Sequence, residues 1–212
     1  SIDVYMRNIR MTFNAARKQY NDEDNEIIRI KNYPFSKYKM PRAKETKKRA
    51  LSIEDIRKIR DYTPKLHRER IGQAAFMISF YLAGMNTADI FHCPAVSKGR
   101  ISYNRMKTKG KRKDEAFISL KIQPELIPWI EKYRGKDTAF NFREYYGNHE
   151  NFNKAVDKGL NSIGKKLNLS VTLTSYYARH SFATIARNDC NISKDDVHMS
   201  LNHVEKDMAI TD

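Results

Sequence analysis

The chain has 212 residues, with 40 Lys and Arg against 25 Asp and Glu, a formal net charge of +15 and a pI near 9.7. That length holds one sizeable core plus an appendage, and the charge points to a polyanionic partner; nucleic acid is the first candidate, although a ribosomal or membrane-surface protein shares the same balance. Two cysteines, Cys93 and Cys190, exclude a disulfide framework, no apolar run reaches membrane-spanning length, and the start Ser1-Ile2-Asp3-Val4 carries no leader pattern, so a reduced, cytoplasmic protein with no membrane span is expected.

Val4, Ile9, Met11, Phe13 and Ala16, interleaved with Arg7, Arg10, Arg17 and Lys18, predict a short basic amphipathic helix that is too small to be a domain alone. Residues 23–49 follow as a basic linker. Pro34, Pro41 and the cations running from Lys37 to Lys47, Lys48 and Arg49 predict an extended tract that does not pack, either following a nucleic-acid backbone or serving as a solvated tether. A compact domain opens at residue 50, where Ser52 and Asp55 read as a capping box ahead of Ile56 and Ile59. A longer helix is expected over 65–83, with Ile71, Ala74, Ala75, Ile78, Leu82 and the aromatic pair Phe80-Tyr81 largely buried and Gly84 placed to stop it; residues 85–90 then restart a helix.

Residues 100–106 and 115–120 alternate as two strands, joined by the basic turn 107–113 around Gly110. A hairpin of that charge reads as a nucleic-acid backbone contact. Helices are expected over 124–134, carrying Leu126, Trp129 and Ile130, and over 148–167, carrying Phe152, Ala155, Val156, Leu160, Ile163 and Leu167 at helical spacing. The aromatic and basic tract 140–146 between them is assigned to packing ahead of base stacking. Ser175 is placed to cap a further helix with Arg179 one turn in, among Tyr176, Phe182, Ala183, Ile185 and Ala186. Spacing alone leaves Arg179 as either a carboxylate's partner or a functional cation. Ser193 and Asp196 read as a capping box for a short helix that delivers Leu201, Asn202 and His203 at its end.

Ala178-Arg179-His180-Ser181-Phe182-Ala183-Thr184, followed by Leu201-Asn202-His203, resembles the catalytic core of the tyrosine recombinases, the phage-integrase family. The branch it resembles most is found on mobile elements of Bacteroides-type bacteria, whose members carry an Arg-His-x-Phe-Ala-Thr helix and a Leu-Gly-His turn. The resemblance implies a mainly α fold with a small antiparallel β-sheet (α+β), the recombinase catalytic domain, over 50–212. Residues 1–22 then correspond to the last helix of a preceding core-binding domain. It further implies site-specific DNA recombination or integration, by strand cleavage and rejoining through a 3′-phosphotyrosyl intermediate, with no metal or other cofactor. The partner implied is double-stranded DNA, in the bacterial cytoplasm at the nucleoid, with the full-length protein a homo-tetramer on it.

Site residues carry over by motif. Arg179 corresponds to a clamp on the scissile phosphate, His203 to a group that binds the phosphate or assists proton movement, and Lys107 to the acid that protonates the departing 5′ oxygen. Arg105, Lys109, Lys111 and Arg112 on the hairpin, with Lys47, Lys48 and Arg49 on the linker, are expected against the DNA backbone. His180 and Asp89 are expected to be structural. Asn86 stands where the family has its first phosphate-binding arginine, and Tyr176 where it usually has a histidine; a phenol keeps a hydrogen-bond donor there but is a poor base at neutral pH. Thr211-Asp212 resembles the family's Thr-x-x-Tyr ending, so the attacking tyrosine is expected just past Asp212, and these residues alone are expected to bind DNA without cleaving it. A non-catalytic duplex DNA-binding relative, suggested by Asn86 and Tyr176, is the alternative, and a basic RNA-binding module is a third.

Overall fold

A computed structural model describes residues 2–38, 50–110 and 112–202, and the chain divides into two units, Ser1–Lys47 and Lys48–Asp212. In the first, helix α1 (Ile2–Tyr20) has no buried residue. The chain then turns back on it: Asp22 bridges to Ile27, and the Asn21 amide brackets Ile30, donating to its carbonyl at 3.0 Å and accepting from its N–H at 2.8 Å. Phe13 of α1 meets Tyr33 and Phe35 in a three-ring cluster with centroids 5.7–6.0 Å apart, and the Arg17 guanidinium lies over the Tyr33 ring. The extended, unpacked tract expected from residue 23 therefore gives way, over 23–38, to a segment packed on α1. Apolar ring burial outweighs the local charge and proline content there. Lys47, Lys48 and Arg49 lie outside the described residues.

The second unit is mainly helical with a small two-stranded antiparallel sheet. Helix α2 (Ile53–Asp61) starts as expected, the Ser52 hydroxyl accepting from the Asp55 N–H at 3.1 Å. The central helix is α3 (His67–Tyr81), in which residues 71–79 are all buried. Its polar members are satisfied internally: Gln73 donates to the carbonyls of Ile59 and Tyr62, and Ser79 to that of Met85. Against α3 lies α7 (His149–Lys166), begun by the Asn148 side chain accepting from the Asn151 N–H. Two glycines bring these helices backbone to backbone. A Cβ on Gly159 would stand 1.9 Å from the Arg68 carbonyl oxygen, and one on Gly72 2.9 Å from the Leu160 nitrogen.

Glu69, fully buried at the start of α3, locks the same pair of helices. It accepts from Ser162 Oγ and Lys166 Nζ on α7, both at 2.6 Å, and from the Tyr62 hydroxyl and the main-chain N–H groups of Lys65 and Leu66. Burial alone would raise its pKa, but the donors from Lys166, Ser162 and the Leu66 main chain outweigh it and bring the value down to about 2.

Helix α4 (Thr87–Phe91) is followed by β1 (Arg100–Asn104) and β2 (Phe117–Lys121), paired so that Arg100 faces Lys121 and Asn104 faces Phe117. A single 3-10 turn (Pro124–Leu126) leads into α5 (Ile127–Lys132), so the one helix expected over 124–134 is broken where prolines withhold N–H donors. Trp129 packs against the core from a partly buried position. The aromatic tract before α7 forms a short helix α6 (Phe142–Tyr145), with Phe140 and Phe142 fully buried and Phe142 stacked on Phe152 at 4.7 Å; this is the packing role expected of it. Helices α8 (Tyr176–Asn188) and α9 (Lys194–Ser200) close the described chain. Ser193 caps α9 as expected, but Ser175 does not cap α8: its main chain is already helical, and its N–H and hydroxyl donate to Asp157 and Asn153 of α7. Among the described residues no helix is long and apolar enough to cross a membrane.

Candidate functional site

The turn that ends α3 prepares the site. Ala83 and Gly84 both take positive φ, 52° and 73°, and the Gly84 N–H donates back to the Ser79 carbonyl at 2.8 Å. Gly84 is needed for more than the turn, because a Cβ there would lie 2.7 Å from Cγ of Arg179. Across this gap Arg179 descends from α8, 9 % exposed, donating from Nη1 to the Gly84 carbonyl at 2.9 Å and from Nη2 to the Leu201 carbonyl at 2.6 Å. Its fork is thereby oriented by the ends of two other elements. Burial, and then the neighbouring Arg105 guanidinium, pull its pKa down to about 10, which leaves it charged at neutral pH.

Arg105 is the second cation of the site. Expected against the DNA backbone, it lies inward on the hairpin and is 7 % exposed, with Nη1 3.4 Å from the carbonyls of both Leu201 and Asn202. Its Nε is buried and has no hydrogen-bond partner among the described residues. The physical reason is the strand period of two: Ile101, Tyr103 and Arg105 share the buried face, while Ser102 points out. The same alternation is visible in the sequence and was the available signal for this residue.

Asp89, on α4 and 3 % exposed, balances the two guanidiniums. It accepts the Met106 N–H at 2.9 Å. Burial raises its pKa, against the lowering effect of the Met106 N–H and the charge of Arg105. Asn86, which stands where the resemblance implies a phosphate-binding arginine, lines the same pocket as this carboxylate.

These groups surround a pocket of about 280 Å³ lined by Asn86, Asp89, Arg105, Lys107, Tyr176, Arg179, His180 and Leu201, with Ala88, Met106 and Ala183. Lys107 stands exposed at its rim, and Tyr176, 48 % exposed, sets its ring edge-on to His180 at 4.6 Å. Tyr176, Asn86 and Arg179 also line an adjoining polar cleft with Thr87, Asn153 and Ser175. Of the residues assigned from sequence, Arg179, Lys107, Tyr176 and Arg105 thus meet at one pocket. Lys109 is exposed on the hairpin turn, outside it. Arg112 is paired with Asp114 and also donates to the Asn202 side chain. His203 and Lys111 lie outside the described residues.

Two buried guanidiniums and one rim ammonium against a single carboxylate leave the pocket electropositive. Removed from water, such charges attract an anion far more strongly than surface lysines do, and a guanidinium fork fits the paired oxygens of a phosphate. No protein-family model and no curated protein matches this chain.

Proposed function

We propose that the second unit grips a phosphodiester of duplex DNA between Arg179 and Arg105, as the catalytic domain of a site-specific DNA strand-exchange enzyme of the tyrosine-recombinase type. The observation that carries this reading is the convergence of Arg179 and Arg105 on one pocket, with a buried Nε on the latter that has no hydrogen-bond partner among the described residues, and Lys107 at the rim.

In this chemistry a tyrosine hydroxyl attacks phosphorus, giving up its proton, and the O5′ bond breaks to leave a 3′-phosphotyrosyl link and a free 5′ hydroxyl. The link conserves the energy needed for rejoining. Arg179 and Arg105 neutralise the charge that builds on the non-bridging oxygens, and Lys107 supplies the proton for the departing 5′ oxygen. Arg105 takes over the task for which Asn86 lacks a charge. Tyr176 donates a hydrogen bond at the rim. His203 follows directly on Asn202, and its assigned role of binding the phosphate or assisting the nucleophile's proton rests on the motif. The nucleophile is the tyrosine expected just past Asp212, and the full-length protein acts as a homo-tetramer on DNA in the bacterial cytoplasm.

A second reading, a duplex DNA-binding relative without chemistry, is favoured by one observation: the uncharged Asn86 lines the pocket where the resemblance implies an arginine. Competition by duplex DNA and duplex RNA of equal length, followed by fluorescence anisotropy, tests what both readings share. Preference for DNA is expected, and equal or tighter binding of RNA would set both aside in favour of an RNA-binding module.

A further inference from the structure

We infer that Asn202 is a positioning residue, a latch that holds the hairpin's cations over Arg179; the inference rests on the phosphate-gripping role proposed for that pocket. Asn202 lies just past α9, 8 % exposed and at a φ of 53°, a left-handed conformation in which asparagine is among the better tolerated side chains. Its main-chain N–H donates to the Met199 carbonyl at 2.8 Å, which fixes the residue against the helix end.

From that fixed point the side chain reaches the hairpin twice. Nδ2 donates to the Ala116 carbonyl at 3.0 Å, and Oδ1 accepts from Arg112 Nη1. The Ala116 carbonyl is also the acceptor for the Arg105 N–H, again at 3.0 Å. One carbonyl oxygen thus joins the Asn202 amide to the main chain of the residue that supplies the second cation. On the other side, the Asn202 carbonyl lies 3.4 Å from Arg105 Nη1, so both ends of Arg105 are referred to Asn202.

The consequence is geometric. Glu115 and Ala116 hold positive φ values of 51° and 55°, so the base of the hairpin departs from the regular ladder there, and the sheet has only two strands to resist bending. Without the Asn202 amide the hairpin loses the tie from Ala116 to the α9 end and the acceptor for Arg112, and Arg105 and Lys107 lose their fixed distance from Arg179. A clamp misplaced by a fraction of an ångström still binds DNA through its other cations but holds the phosphate poorly.

The test is nuclear magnetic resonance on the ¹⁵N-labelled protein, with inorganic phosphate as the probe. Asn202→Gly keeps the left-handed backbone and removes the latch, while Asn202→Asp keeps the acceptor for Arg112 and removes the donor to Ala116. The Arg105 amide is expected to exchange with solvent about tenfold faster in Asn202→Gly, with α3 and α7 amides unchanged. The phosphate concentration that half-shifts the Arg105 Nε–H resonance should also rise about tenfold, the scale of one hydrogen bond, with Asn202→Asp closer to Asn202→Gly than to the parent. Faster exchange with an unmoved phosphate midpoint would make Asn202 merely structural and overturn the inference, as would unchanged exchange. If phosphate does not shift the Arg105 or Arg179 side-chain resonances of the unmodified protein, the clamp itself is wrong and the inference falls with it.

Discussion

Arg179 and Arg105 reach the pocket from different elements, one from the first turn of α8 and one from just beyond β1, and each is held by main-chain carbonyls. Because those acceptors are fixed, either guanidinium is already aimed before the proposed DNA phosphate arrives, and removing one removes a preorganised donor. Arg179→Ala and Arg105→Ala are each expected to lower strand cleavage by the full-length protein about a hundred- to a thousandfold, while duplex affinity changes little. Equal loss of cleavage and binding would show that the arginines are structural. Gly84 belongs to the same scale. Its positive φ and its closeness to Arg179 mean that Gly84→Ala should cost about 1–3 kcal/mol, read as a fall in melting temperature. Gly84 was legible as a helix stop, and Arg179, singled out by its motif, lies buried against it. Their contact was not legible, since nothing local couples positions so far apart in the chain. The burial of Arg105 follows from the alternation that puts it beside Ile101 and Tyr103, a pattern its charge masked.

At the scale of elements, the α3–α7 pair is the platform on which the site stands, and its weakest tolerance is at Gly159. With the Arg68 carbonyl 1.9 Å from where a Cβ would be, Gly159→Ala must push the helices apart. Overpacking of that kind costs about 1–3 kcal/mol or more, and denaturant unfolding should show it as a reduced midpoint with an unchanged slope. Glu69 gives the same platform a pH signature. Its folded pKa of about 2 lies below its ordinary value of 4.5, so its stabilising contribution is complete above that ordinary value and is lost as pH falls toward 2. Glu69→Gln lacks this term, and its melting temperature should fall less between pH 5 and pH 3 than that of the parent. Parallel curves would contradict the network. Helical periodicity made α3 and α7 legible to within two residues at each end. Glu69 was not singled out, because a charged residue at a helix start ordinarily faces water.

For the whole molecule, a net charge of +15 predicts that duplex binding is governed by counterion release. Log affinity should fall linearly with log salt, by about 0.9 for each phosphate neutralised; a flat dependence would remove the hairpin turn as a DNA contact. The sequence reads as a helix over 1–22, a basic linker over 23–49 and a compact domain from residue 50, and the chain divides into two units, Ser1–Lys47 and Lys48–Asp212. The packing of 23–38 on α1 was hidden, because Tyr33 and Phe35 sit among prolines and cations and show no periodicity to reveal their partner, Phe13. The central claim is that Arg105 and Arg179 together grip a DNA phosphodiester during cleavage. Its most direct test is covalent trapping: the full-length protein is mixed with nicked duplex from the ends of the mobile element proposed to carry it, and protein–DNA adduct is measured on a denaturing gel. The account predicts an adduct that vanishes when the tyrosine just past Asp212 is replaced by phenylalanine and is nearly abolished in both Arg105→Ala and Arg179→Ala. Tight duplex binding with no adduct, or an adduct undiminished in Arg105→Ala, would contradict it.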